Sequence, residues 1–244
     1  MCYSAGMSFS LAAVGAIASA AALADPTWRR QLRYVPLIFY TCMELLQGVQ
    51  YSHVNECGTP ANRFSTEVAY LLVVVQPLMW NLLYYLRTPA NNCDRRLFVL
   101  GMVLAVIWIA FHVAGRLLHG ASGFVDRTHG ANTYTGGDSP GCTMRDPGHH
   151  LYWKWASADL GGLDATWLMY LMIWFLPALV SGCHRLHMAF GVAGAALAAV
   201  VTWRWGSRVD EFASVWCLFS IPLLVLGLLD LAGVRMFKAV RGRM

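Results

Sequence analysis

The chain has 244 residues, of which 57% are hydrophobic and only 13% charged, with a formal net charge of +5. A soluble globule carries about a quarter charged residues, so an ordinary cytosolic enzyme, a disordered chain and a collagen are all excluded. The solvent this composition suits is lipid, and the bilayer is the first partner to expect.

Crossing the ~30 Å hydrocarbon core takes about 20 mostly apolar residues per helix. Seven such segments follow one another: Met7 to Ala24, Tyr34 to Val54, Thr66 to Leu86, Leu97 to His119, Ala165 to Cys183, His187 to Trp203 and Glu211 to Val234. They predict an all-α fold, a single seven-helix membrane domain over residues 1–244. Connections are short except the one from Gly120 to Asp164, which reads as a long unstructured loop and therefore a functional one. Ala22-Leu23-Ala24 before Asp25 has the form of a signal-peptide cleavage site, but no positive charge precedes the apolar run, so the first segment is read as a retained span.

Orientation follows from Lys and Arg on alternate sides of the spans. Arg29, Arg30, Arg33, Arg87, Arg95, Arg96, Arg185, Arg235, Lys238, Arg241 and Arg243 share one side, 11 of the 18 basic residues. That side is expected to be cytoplasmic, in a plasma (inner) membrane. The N-terminus and the long loop then lie outside and the C-terminus inside. The charge reflects these arginines rather than a nucleic-acid surface, and no phosphate-cradling loop or nucleophile elbow is present.

The seven cysteines divide by side. Cys2, Cys57 and Cys142 fall outside, in the oxidising compartment where disulfides persist. A Cys57–Cys142 disulfide would tie the short loop after the second span to the long loop, leaving Cys2 as the odd thiol. Six of the eight histidines, His53, His112, His119, His129, His149 and His150, gather on the side of Cys2. Cys and His together are ligands for a transition metal.

Ionisable groups at membrane depth are costly and usually face the bundle interior. Glu44 lies near the middle of the second span, with Gln47 and Tyr51 at i+3 and i+7 on one face. On the fourth span His112, Arg116 and His119 form a second stripe. Both lead outward, which predicts that Glu44 and His112 belong to one buried polar site. The blander alternative is that Glu44 pairs with Arg116 or Gln76 as polar glue. His53 would sit about 180° around a straight helix from Glu44, so the two meet only if the helix unwinds near Gly48.

The opening MCYSAGMS resembles the Met-Cys-Trp-Ser-Ala start of a family of small polytopic membrane proteins of unknown function, with Tyr3 in place of the usual Trp. GHHLYWKW in the long loop resembles that family's Gly-His-Leu-x-Trp-x-Trp segment, with one histidine more, so either His149 or His150 inherits its place. The resemblance implies the polytopic fold and the importance of Cys2 and the loop histidines; it names no activity.

Thiolate, thioether and imidazole form a soft to borderline set that favours copper, with zinc as the alternative. The expected ligands are Met1, Cys2, Glu44, His53, His112, His119, His149 and His150, with Gln47, Tyr51, Glu67 and Arg116 around them. The function this points to is an outward-facing copper site, and with it an oxidoreductase acting on a small extracellular or lipid-soluble substrate. A metal-free transporter or receptor using the Glu44 stripe is the competing class. An intramembrane zinc hydrolase is less well matched, since the last span has no histidine. A retinal protein would need a lysine inside the bundle, and Lys154 and Lys238 both lie outside the spans.

Overall fold

The computed structural model describes residues 4–30, 32, 34–88, 94–119, 141–147, 150–155, 159–160, 163–164, 167–181, 185–205, 212 and 215–216. The chain is mostly helical. In order it forms α1 (Ala5–Ala24), α2 (Pro26–Arg30), α3 (Tyr34–Gln50), α4 (Pro60–Arg87), α5 (Arg95–His119), strands β1 (Gly141–Arg145), β2 (Leu151–Trp155), β3 (Asp159–Leu160) and β4 (Leu163–Asp164), then α6 (Trp167–Ser181) and α7 (Arg185–Trp205). The expected last span, Glu211 to Val234, lies outside the described residues except for Phe212, Val215 and Trp216.

Among the described residues, three helical segments are long and apolar enough to cross a membrane: Ala5–Ala24, Pro60–Arg87 and Arg95–Gly115. Leu168–Ser181 and Val192–Arg204 are shorter apolar segments, and α3 has 17 residues. These features are those of a membrane protein.

Helix α1 starts at Ser4, whose hydroxyl accepts the Met7 amide at 3.3 Å and so satisfies one of the free donors of the first turn. Its buried face is a run of small residues, Ser8, Ala12, Gly15, Ala18, Ser19 and Ala22, and it packs chiefly on α3. Small residues let the two backbones approach closely. A Cβ on Gly15 would fall 2.2 Å from Thr41 Oγ1, and one on Gly48 would fall 2.8 Å from the Phe9 ring. Asp25 then caps α2 through the amides of Thr27 and Trp28 at 2.7 and 3.0 Å, and Trp28 closes a small core with Ala18, Ala22 and Leu37.

Helix α4 is the central element, in contact with α3, α5, α6 and β1. Thr59 caps it and Pro60 fills its first position, where a missing N–H costs nothing. Its aromatic core runs through Tyr70, Trp80 and Tyr84 to Phe98 and Trp108 on α5 and to Tyr170 and Trp174 on α6. Pro177 inside α6 has no N–H to give the carbonyl of Ile173. The Asn81 amide of α4 donates to that carbonyl instead, at 3.0 Å, which ties two helices at the point where one has lost a bond.

Two sequence expectations change here. The segment Gly120 to Asp164 is not a loop throughout: β1 pairs antiparallel with β2, Thr143 opposite Trp153, and β3 with β4. Cys-Thr-Met and Leu-Tyr-Trp-Lys-Trp are rich in strand-forming residues, and five residues each are too few to be told from loop by period. The second span also ends earlier than Val54. Helix α3 stops at Gln50, and residues 51–59 form turns in which Asn55 adopts φ 66°, a left-handed conformation that Asn tolerates better than most residues.

Candidate functional site

The polar residues of the bundle concentrate where the end of α3, the start of α4 and the β1–β2 hairpin meet. One edge of β1 pairs with β2; on its other edge Thr143 and Arg145, two residues apart, turn their backbone groups to side-chain amides. Asn62 accepts the Thr143 amide on Oδ1 at 3.1 Å and donates through Nδ2 to the carbonyls of Thr143 at 2.9 Å and His53 at 2.8 Å. Asn55 does the same for Arg145, accepting its amide at 2.7 Å and donating to its carbonyl at 2.9 Å. Each asparagine thus substitutes for a neighbouring strand, giving the free edge of β1 the bonds a third strand would supply.

Three more contacts hold the hairpin. Thr66 and Thr143 share a hydroxyl hydrogen bond of 2.7 Å. Trp153 Nε1 donates to Gln50 Oε1 at 3.0 Å, and Gln50 Nε2 donates to the Ser65 carbonyl at 3.0 Å. Cys57 and Cys142 stand as a disulfide pair with Cα atoms 5.4 Å apart, as expected from their shared side.

The expected metal ligands scatter over this region. His53 has both ring nitrogens in hydrogen bonds, Nδ1 with Ser52 Oγ at 3.0 Å and Nε2 with Ser65 Oγ at 2.8 Å. His112 hydrogen-bonds the Tyr70 hydroxyl through Nδ1 and packs against the Trp108 ring at a centroid distance of 4.2 Å. His150, at the foot of β2, is 2% exposed; burial, and secondarily the positive charge of Arg145, lowers its pKa to about 3, so it is neutral at physiological pH. Tyr51 lies beneath the Arg145 guanidinium, 5.4 Å from its ring centroid, rather than on a helical stripe. The Glu67 carboxylate borders β1, where a Cβ on Gly141 would be 3.1 Å from Oε1. Met1, Cys2 and His149 lie outside the described residues, as do the side chains of Arg116 and His119.

Glu44 and Gln47 are different. One turn apart on α3, both are fully buried. Ser8 of α1 is the polar neighbour of the Glu44 carboxyl, but among the described residues no hydrogen bond of normal geometry reaches either carboxyl oxygen or either end of the Gln47 amide. Gln76, the glue partner considered for Glu44, is engaged elsewhere, donating to Tyr40 at 2.9 Å and accepting from Tyr170 at 2.6 Å. Glu44 faces α1 while His112 faces α4, so their described neighbours differ. Among the described residues no three His, Cys, Asp or Glu side chains gather closely enough to hold a metal ion.

The model of a family of unknown function, DUF5765, matches residues 6–237, nearly the whole chain. The chain belongs to that family. No curated protein and no solved structure matches it. Family membership therefore carries no activity to this chain, and the chemistry has to be argued from the site.

Two kinds of polar group are present. Asn55, Asn62, Gln50, Thr66 and His53 are hydrogen-bonded and build the frame that holds the hairpin on the bundle; Glu44 and Gln47 are buried without a partner of normal geometry among the described residues, which sets them apart from that frame. Sequence reasoning missed Asn55, Asn62, Gln50 and Thr143. No spacing rule marks an asparagine whose partner is a backbone 81 or 90 residues away.

The disulfide closes a separation of 85 residues. In water such a closure could be worth about 4 kcal/mol. Because membrane helices stay inserted when the ends separate, the released entropy is smaller, and the loss expected for Cys57→Ser with Cys142→Ser is roughly 2 kcal/mol. A thermal melt in detergent checks this; the asparagine clamps should keep the hairpin docked, which limited proteolysis of the double variant would register as continued protection.

Proposed function

We propose that this chain is a seven-helix integral membrane protein of the plasma or inner membrane, with its N-terminus and hairpin outside and its basic tail cytoplasmic. It holds a transition-metal ion, copper first and zinc second, at a site built around Glu44. The observation that carries the reading is the fully buried Glu44–Gln47 pair, whose polar atoms have no hydrogen bond of normal geometry among the described residues. A carboxyl group at membrane depth is costly unless a cation, a proton or a partner compensates it.

Position along the chain supports the ligand set. Ser8, the neighbour of Glu44, stands one turn after the Ser4 cap, and Cys2 precedes that cap by two residues. The thiolate of Cys2 and the thioether of Met1 are soft donors that favour copper, and Glu44 adds a hard one. His53 is saturated by its two serines, so an imidazole ligand is better sought in His119 or His149. A copper ion open to the outside suits an oxidoreductase acting on a small extracellular or lipid-soluble substrate.

Replacing Cys2 with Ser, or Glu44 with Gln, should strip the metal from the purified protein while leaving its helical content and disulfide unchanged. Metal content equal to that of the parent in both variants would overturn the ligand assignment.

A metal-free transporter or receptor remains the second reading, favoured by the absence of a ligating trio among the described residues. Glu44 and Gln47 would then bind an organic cation or carry a proton. Glu44→Gln would abolish uptake or binding in a protein that holds no metal in either form.

A further inference from the structure

Away from the polar end, a groove of about 170 Å³ runs between α5 and α6. We propose that it holds an acyl chain of an anionic phospholipid whose phosphate rests on Arg96. This rests on the membrane character of the chain and is independent of the metal reading.

The groove is lined only by apolar residues and glycine, among them Leu100 and Leu104 of α5 and Leu176, Pro177 and Val180 of α6. It opens on the lipid-facing surface, for Leu100 is 55% and Val180 63% exposed. Its floor is set by backbone approach: a Cβ on Gly101 would meet Asn81 Oδ1 at 2.3 Å and the Pro177 ring at 2.9 Å. The recess between the leucines therefore lies over the point where α4, α5 and α6 pack most closely.

What names the occupant is the end of the groove. Arg96, Leu100 and Leu104 follow at i, i+4 and i+8 and share one face of α5, so Arg96 stands about 6 Å, one turn, beyond Leu100. Its side chain is exposed. Arg95, about 140° around α5 from Leu100, is turned instead to α4, where its guanidinium stacks on the Tyr85 ring at 4.0 Å. One exposed guanidinium, with a second positive charge beside it on α5, thus stands above an apolar slot. Guanidinium forks bind phosphate bidentately, and basic pockets between membrane helices select anionic headgroups. A zwitterionic lipid fills the slot equally well but brings its own cation to Arg96.

Native mass spectrometry of the detergent-purified full chain, titrated with phosphatidylglycerol and with phosphatidylcholine of the same acyl chains, tests this. One phosphatidylglycerol should be retained about tenfold more tightly than phosphatidylcholine, a difference near 1.4 kcal/mol. Arg96→Ala, at an exposed position that leaves the fold intact, should erase the preference, and Arg96→Lys should restore part of it. Leu100→Trp should fill the slot and weaken both lipids. Inorganic phosphate should not compete, because the chain provides half the contact. Equal phosphatidylglycerol retention in the parent and Arg96→Ala would overturn the headgroup assignment, undiminished binding in Leu100→Trp would overturn the groove, and displacement by inorganic phosphate would reduce the site to a surface anion site.

Discussion

Asn62→Ala is expected to lower stability by about 3 kcal/mol and to loosen the hairpin from the bundle. Asn62 is fully buried and bonds three backbone groups. The Thr143 carbonyl keeps a second donor, the Asn55 amide at 3.1 Å. The Thr143 amide and the His53 carbonyl lose their Asn62 partner, and each buried group left unsatisfied costs roughly 1–3 kcal/mol. Asn62→Asp should be no better. It keeps the acceptor for Thr143 but sets a carboxylate oxygen against two carbonyl oxygens. A thermal melt measures the loss, and faster reduction of the Cys57–Cys142 bond by a mild phosphine reports the loosening. A melting temperature unchanged from the parent would show that the asparagine clamp does not hold the hairpin.

The second large effect is a dependence on pH carried by His150. Its pKa falls from the ordinary 6.5 to about 3 in the folded chain, first because burial penalises the charged ring and then because Arg145 repels it. Between those values the unfolded chain binds a proton that the folded chain does not, so this contribution to stability is fully present above pH 6.5 and is lost as pH falls toward 3. The limiting slope is about 1.4 kcal/mol per pH unit. Moving from pH 7.5 to pH 5 should therefore remove roughly 2 kcal/mol through this residue alone. His150→Gln should melt with a shallower pH dependence over that range. Equal slopes in parent and variant would mean that His150 stays neutral, or becomes charged, in both states.

Six of the seven expected spans coincide with helices among the described residues, because apolar runs of that length show directly in a sequence, and three of them are long and apolar enough to cross a membrane. The disulfide was legible because topology put Cys57 and Cys142 on one side. Three things were not. The end of α3 at Gln50 depends on the hairpin that packs there: Trp153 bonds Gln50, and Asn62 bonds the carbonyl of His53 in the turns beyond. Strands β1 and β2 are five residues each and owe their edge to Asn55 and Asn62. The partners of two of the histidines were not legible either: His53 is held by two serines and His112 by Tyr70, contacts that depend on which helix faces meet. Glu44 stood out correctly as a buried polar residue, since an ionisable group within an apolar run can be read from sequence; its facing Ser8 and α1 could not, because helix order does not fix which faces meet.

The central claim is that a metal ion compensates Glu44. Elemental analysis of the full chain, purified from membranes in detergent without chelator, tests it most directly. Stoichiometric copper, or zinc in its place, that is lost in Cys2→Ser and in Glu44→Gln is the expected result. Protein that is folded, disulfide-bonded and free of both metals would contradict it and leave Glu44 and Gln47 to a transported or sensed ligand.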